Sequence, residues 1–138
     1  MIGSTARRRR GRTGSNDATK AFAEALGRVY ADKFGLEVVA LRIGTFEERP
    51  ATTRDLSTWL SPGDAGRLVQ AALTGPVDGF LAIYGVSANH RVWWDVPPEL
   101  GYAPVDDAEA YAGEVAADDG IPFQGGPHTR RESGGWAV

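Results

Sequence analysis

Cysteine is absent from the 138 residues. Its absence excludes disulfides, thiolate nucleophiles and thiolate metal sites. Histidine is nearly absent too. His90 and His128 stand 38 residues apart with no clustered carboxylates, which argues against a protein-built zinc site. Positive charge is not in excess: the net charge is -3 and the sequence pI is near 5.3. Nucleic acid is therefore not expected as a partner, since phosphate binding needs a concentrated positive surface. No run approaches the roughly 18 apolar residues of a membrane span. The amino terminus is basic, Arg7 to Arg10, but no apolar stretch follows, so it is not a secretory signal. The expectation is a cytoplasmic protein with no membrane partner.

A glycine-rich nucleotide fingerprint is also lacking. Gly3, Gly11 and Gly14 have neither the spacing nor a preceding apolar strand, and the Gly-Gly pairs at 125–126 and 134–135 have no context. No internal repeat recurs at a fixed period.

What is present suits one soluble domain. Hydrophobic residues make up 42% and charged residues 24% of the chain. Residues 1–16 carry five arginines and almost no apolar content, so burial cannot offset their ordering entropy; a disordered basic tail is expected there. A folded domain is expected over 17–117. A second disordered tail, rich in glycine and charge, is expected over 118–138.

Within the domain, Phe22, Leu26, Val29 and Tyr30 fall on one face of a helix over 17–34, with Asp17 as cap and Gly35 as the left-handed residue after it. That face is expected to be the helix's core face. Residues 36–43, LEVVALRI, read as a strand covered on both sides, as in a parallel sheet. Residues 44–60 lack a period and read as a long loop at a strand's carboxyl end, where open α/β sheets place ligands. Ser61, Pro62 and a capping-box-like Asp64 start a helix over 62–74, which Gly75-Pro76 ends. Residues 80–86 read as a second buried strand, and 91–104 as an irregular segment with one helical turn near Glu99. Residues 106–117 read as a short helix presenting Ala108, Tyr111, Ala112 and Val115. Trp59, Trp93 and Trp94 read as packing residues, Arg42 as a tie to a loop or carboxylate, His90 as a surface residue, and Asp106 and Asp107 as a helix start.

Four stretches, in this order and spacing, carry a family resemblance: ATKAFAEALGRVYADKFGLEVVALRIGTF (18–46), RDLSTWLSPGDAGRLVQAAL (54–73), FLAIYGVSANHRVWWD (80–95) and LGYAPVDDAEAYAGEV (100–115). Together they resemble the carboxy-terminal half of extended short-chain dehydrogenases, the NAD-dependent epimerase/dehydratase family. Within it they are most similar to uronate dehydrogenases. The resemblance implies an α/β fold: a partial Rossmann-like domain of parallel strands flanked by helices.

It also implies a chemistry. Family members pair a tyrosine with a lysine four residues on; the lysine's charge lowers the tyrosine's pKa and holds the cofactor ribose. Tyrosinate takes the hydroxyl proton while hydride passes from C1 of galacturonate or glucuronate to NAD. Lys20 matches the motif lysine, as a catalytic and cofactor-binding residue. Thr45 matches the small hydroxyl residue that touches substrate. Arg54 matches the arginine that grips the sugar's carboxylate, a task suited to a bidentate guanidinium. The tyrosine position, however, holds Asn16, which has no ionisable proton near neutral pH. With the glycine fingerprint also lacking, the expectation is a truncated and inactive form, arising from a shifted reading frame or an internal start. Its exposed apolar face would invite association. Alternatives are another sugar epimerase or dehydratase fragment, a non-catalytic sugar-acid-binding module, or an interaction module for a separate nucleotide-binding chain. NAD versus NADP, and galacturonate versus glucuronate, stay open.

Overall fold

The computed structural model describes residues 15–96 and 100–117. The expected tails, apart from Ser15 and Asn16, and the expected turn at Glu99 lie outside the described residues. Helix α1 spans Ser15–Phe34. It starts two residues ahead of expectation, so Asp17 belongs to its first turn rather than capping it. Gly35 ends it with φ 66°, and its N–H donates to Ala31 O at 3.0 Å.

Strand β1 (Val38–Ile43) follows and pairs in parallel with β4 (Phe80–Gly85), Val38 opposite Phe80 and Ile43 opposite Gly85. Between them come β2 (Thr45–Phe46), α2 (Asp55–Thr58), β3 (Trp59–Leu60) and α3 (Pro62–Thr74). β2 and β3 form a second short parallel ladder, Thr45 opposite Trp59. The stretch read as a featureless loop thus holds a strand pair and a helical turn. Two-residue strands leave no periodicity to read.

The architecture is a three-layer α/β sandwich. Period-two alternation sends Val38 and Arg42 of β1, with Phe80 and Tyr84 of β4, towards α1. There Gly27 of α1 comes so close that an added Cβ would lie 3.1 Å from Val38 and 3.3 Å from Phe80. Val39, Leu41, Leu81 and Ile83 point the other way, into a core built on Leu60, Leu68, Leu100 and Tyr102. Ser61 caps α3 as expected, its Oγ accepting from Asp64 N at 2.9 Å. Asp64 does not reach back to complete a capping box. Its side chain is fully buried and accepts from Val105 N, Asp106 N and Arg67 Nη1.

Two expectations need correction. The helix expected over 106–117 is a single 3-10 turn, Ala108–Tyr111, started by Asp107, whose side chain accepts from Glu109 N. Its apolar residues nevertheless pack as a set: Ala108, Tyr111, Ala112 and Val115 meet Leu56 and Trp59. The apolar stripe of α1 is not a core face within this chain; it lies open, which agrees with the exposed apolar face expected of a partial domain. Phe22, Leu26, Val29 and Tyr30 are 68%, 43%, 51% and 46% exposed, and α1 instead meets the sheet through Ala21, Glu24, Gly27 and Ala31. At 100° per residue the stripe lies opposite the sheet. As expected, β1 has α1 on one face and the core on the other, but its residues are only half-buried and Ile43, at its end, is exposed. Among the described residues no helix is long and apolar enough to cross a membrane.

Candidate functional site

The site lies beyond the carboxyl end of β1, where the chain turns through Gly44 into β2. Gly44 is required there. A Cβ would fall 2.0 Å from Thr58 O and 2.9 Å from Val86 Cγ1. This close approach sets Thr45 against α2, and the hydroxyls of Thr45 and Thr58 share a 2.9 Å hydrogen bond. Thr58 is fully buried, while Thr45 and Arg54 are half-buried.

Arg54 stands one helical turn before Thr58, so the two meet by i, i+4 geometry. Arg54 Nη1 donates to Thr58 Oγ1 at 3.4 Å, and Thr58 Oγ1 donates to Arg54 O at 3.3 Å. Once the Thr58 proton is directed to that carbonyl, Thr45 must donate to Thr58. The free lone pairs of Thr45 are then left to accept from a ligand hydroxyl. The backbone carrying Arg54 is fixed from both sides. Asp55 accepts from Ala51 N at 3.1 Å and Thr52 N at 2.9 Å. Thr53 N donates to Ala116 O, and Ala116 N donates to Ala51 O.

The two site residues read from the sequence, Thr45 and Arg54, are therefore brought together. The residue that joins them, Thr58, was missed, although its spacing from Arg54 is a readable signal. Lys20 is placed by the run of α1 along β1. Gly27 lies against Val38 and Glu24 pairs with Arg42, so α1 is antiparallel to β1. Lys20, a turn beyond Glu24, lies towards the carboxyl end of β1, the end that carries Thr45. It is exposed, and no contact joins it to Thr45 or Arg54 among the described residues.

Arg42 ties to a carboxylate, as expected. Its Nε and Nη2 each donate to Glu24 at 2.8 Å. These hydrogen bonds outweigh burial and hold its pKa above the ordinary range. Trp59 is packing: it is 3% exposed and its Nε1 donates to Glu47 O at 2.8 Å. His90 is an exposed loop residue whose N–H donates to Asp107. Much of the YGVSANHRVWWD stretch is structural. Ser87 Oγ accepts from Ser61 N at 3.0 Å, and Asn89 bridges Trp59 O and Ala108 N. Trp93 is the exception to the packing expectation, since it is 38% exposed and lies under Arg54.

Chemically, a guanidinium in a fixed loop beside a hydroxyl acceptor suits an anionic, hydroxylated small molecule, with a carboxylate as the natural partner of the fork.

No family profile matches the chain. Individual relatives do. The uronate dehydrogenase of Pseudomonas syringae pv. tomato is 38% identical over 117 residues, 78% of this chain and 42% of that protein. The solved uronate dehydrogenase of Agrobacterium tumefaciens, in a substituted form complexed with NAD, superposes with a TM-score of 0.71 at 40% identity, over 74% of this chain and 39% of the other. The glucuronic acid dehydrogenase of Chromohalobacter salexigens gives a TM-score of 0.75 at 34% identity, over 82% and 46% of the two chains. The chain spans less than half the length of these relatives, and it fits as a partial, carboxy-terminal-like portion of the uronate dehydrogenase family.

Proposed function

We propose that this chain, matching the uronate dehydrogenase family over part of that family's length, carries the family's sugar-acid-binding site. Arg54 receives the carboxylate of galacturonate or glucuronate, Thr45 accepts from a sugar hydroxyl, and Thr58 fixes one against the other. The observation that carries this reading is the Arg54–Thr58–Thr45 network at the carboxyl end of a parallel strand. It is where an α/β fold presents ligands, and it has the charge and fork geometry a carboxylate needs. A cytoplasmic site of action is part of the same proposal.

The family's chemistry is proposed to be hydride transfer from the anomeric carbon to NAD. The described residues fit that cofactor poorly. A pyrophosphate needs a bare helix amino terminus reached through a glycine-rich turn. Among the described residues, the start of α3 directly after β3 is occupied by Ser61 Oγ and flanked by the carboxylates of Asp64 and Asp106. That end repels phosphate. Lys20 is positioned to contribute to a cofactor site, but Asn16, a turn before it, supplies no phenol. These 138 residues by themselves are therefore proposed to bind the sugar acid without oxidising it.

Isothermal calorimetry tests the reading. Galacturonate should give binding heat that galactose, which has no carboxylate, does not, and Arg54→Gln should abolish it. A parent chain silent towards both sugar acids rejects the proposal. NAD reduction by this chain alone, followed in a spectrophotometer with galacturonate, should be nil; turnover would reject the non-catalytic part. The bare stripe on α1 favours a second role alongside the first, association through that face.

A further inference from the structure

Arg54 rests on a column of aromatic rings. Its guanidinium carbon lies 5.5 Å from the Trp93 ring centroid. Trp93 meets Trp94 edge-on, centroids 6.0 Å apart and planes at 76°. Trp94 lies flat on Tyr84 at 4.8 Å, with 2° between planes. Arg42 covers Tyr84 at 5.3 Å and is itself clamped by Glu24 of α1. The column thus runs from the helix that bears Lys20 to the guanidinium at the mouth of the site. Trp59, which serves packing alone, is buried to 3% exposure; Trp93 keeps 38%. A half-open indole beneath a half-buried guanidinium belongs to the mouth rather than to the core.

We propose that Trp93 is a positioning residue for the anion site: its ring face holds the plane of the Arg54 guanidinium so that the N–H edge is presented to a carboxylate. This rests on the sugar-acid reading above and adds the residue that sets the fork. The reason lies in the geometry of arginine. A ring takes the π face of a guanidinium and leaves its in-plane N–H donors available, so stacking and bidentate hydrogen bonding are compatible. Without the ring, the side chain must be ordered when ligand binds, and affinity falls by that cost. The stack of Trp94 and Tyr84, anchored through Arg42 and Glu24, in turn keeps Trp93 from swinging away.

Two readouts on the full chain test this. The first is the proton NMR signal of the Arg54 Nε–H group. Ring current from Trp93 should displace it from the free-arginine position. Trp93→Leu should return it, and Trp93→Phe should keep part of the displacement. The second is calorimetric titration with galacturonate. W93L should weaken binding roughly tenfold and W93F by no more than about threefold, as expected for loss or retention of a cation–π partner. Should W93L fail to fold, W93Q is a second ringless variant, suited to a partly exposed position. An Arg54 signal identical in the parent and the ringless variant overturns the proposal, as does a ringless variant that binds galacturonate as tightly as the parent. If the parent gives no heat with galacturonate, the sugar-acid reading fails separately, and the NMR displacement alone decides whether Trp93 sets the guanidinium.

Discussion

Replacing Asp64 with asparagine should cost this fold a large share of its stability, although the two side chains have nearly the same shape. Asp64 is fully buried. One carboxylate oxygen accepts from Val105 N at 2.9 Å and Arg67 Nη1 at 2.7 Å, and the other accepts from Asp106 N at 3.0 Å. Each oxygen thus receives a backbone N–H. An amide, whichever way it turns, must present its NH2 to one of them. A buried N–H left without an acceptor costs about 1–3 kcal/mol. Loss of the charge-assisted bond to Arg67 adds to this, discounted because Arg67 is 44% exposed. The sum is about 3 kcal/mol, against a typical total of about 5–15 kcal/mol for a domain. Urea unfolding followed by tryptophan fluorescence should show the midpoint fall by about 2 M, with the slope unchanged. The same residue fixes a pH dependence. Burial raises the Asp64 pKa, but hydrogen bonds from Ser87, Val105 N, Asp106 N and Arg67 outweigh it, and the pKa lies below its ordinary 3.8. A folded pKa below the unfolded one means the stabilisation is fully present above that value and is lost as pH falls through the folded pKa. The parent should therefore lose stability on acidification below about 3.8, and D64N should lack that component. A midpoint within about 0.5 M of the parent, or an acid profile shared by both proteins, would refute the reasoning.

Arg54→Lys should keep the fold and weaken galacturonate binding by about tenfold or more, because a point charge cannot replace a planar fork; calorimetry and circular dichroism together check it. Leu68→Ala should destabilise by about 3–5 kcal/mol in urea melts, since Leu68 is fully buried among Leu60, Ile83, Leu100 and Tyr102. Sedimentation velocity should show the parent associating with rising concentration. Phe22→Glu with Leu26→Glu, on the exposed stripe of α1, should shift it towards monomer; equal association by both would remove that stripe as the contact.

The two strands were legible because LEVVALRI and FLAIYGV are short, nearly continuous apolar runs, as in a parallel sheet, whereas the pairing of β1 with β4 was not read from the sequence. The start of α3 was legible from Ser61 and Pro62, whose roles are local. Thr45 and Arg54 were singled out through a resemblance carried by ordered motifs, and the structure links the two through Thr58. The α1 stripe was legible as a stripe but not as to direction. A helical period shows that one side is apolar; it does not say which neighbour that side meets. The sheet took the side with Ala21, Gly27 and Ala31 because only small residues allow the close approach seen at Gly27. The helix expected over 106–117 failed for a related reason. Ala108, Tyr111, Ala112 and Val115 are spaced for a helix, yet Asp107 and the bridge from Thr52 to Ala116 confine them to a single turn.

By itself the sequence determined which functional groups are available: it holds no cysteine, it has Asn16 rather than a tyrosine four residues before Lys20, and its glycines do not form a nucleotide fingerprint. It also determined the local elements whose signals lie within a few residues. Tertiary structure alone decided what the remaining groups can do together. Thr45, Thr58, Arg54 and Trp93 are spread over 49 positions of chain, and beyond the i, i+4 spacing of Arg54 and Thr58 nothing in the sequence requires that they meet. They meet because Gly44 admits Thr58 and because Tyr84 and Trp94 carry Trp93 across to Arg54. Such contacts are set by packing between distant segments, where shape complementarity, not local pattern, chooses the neighbour.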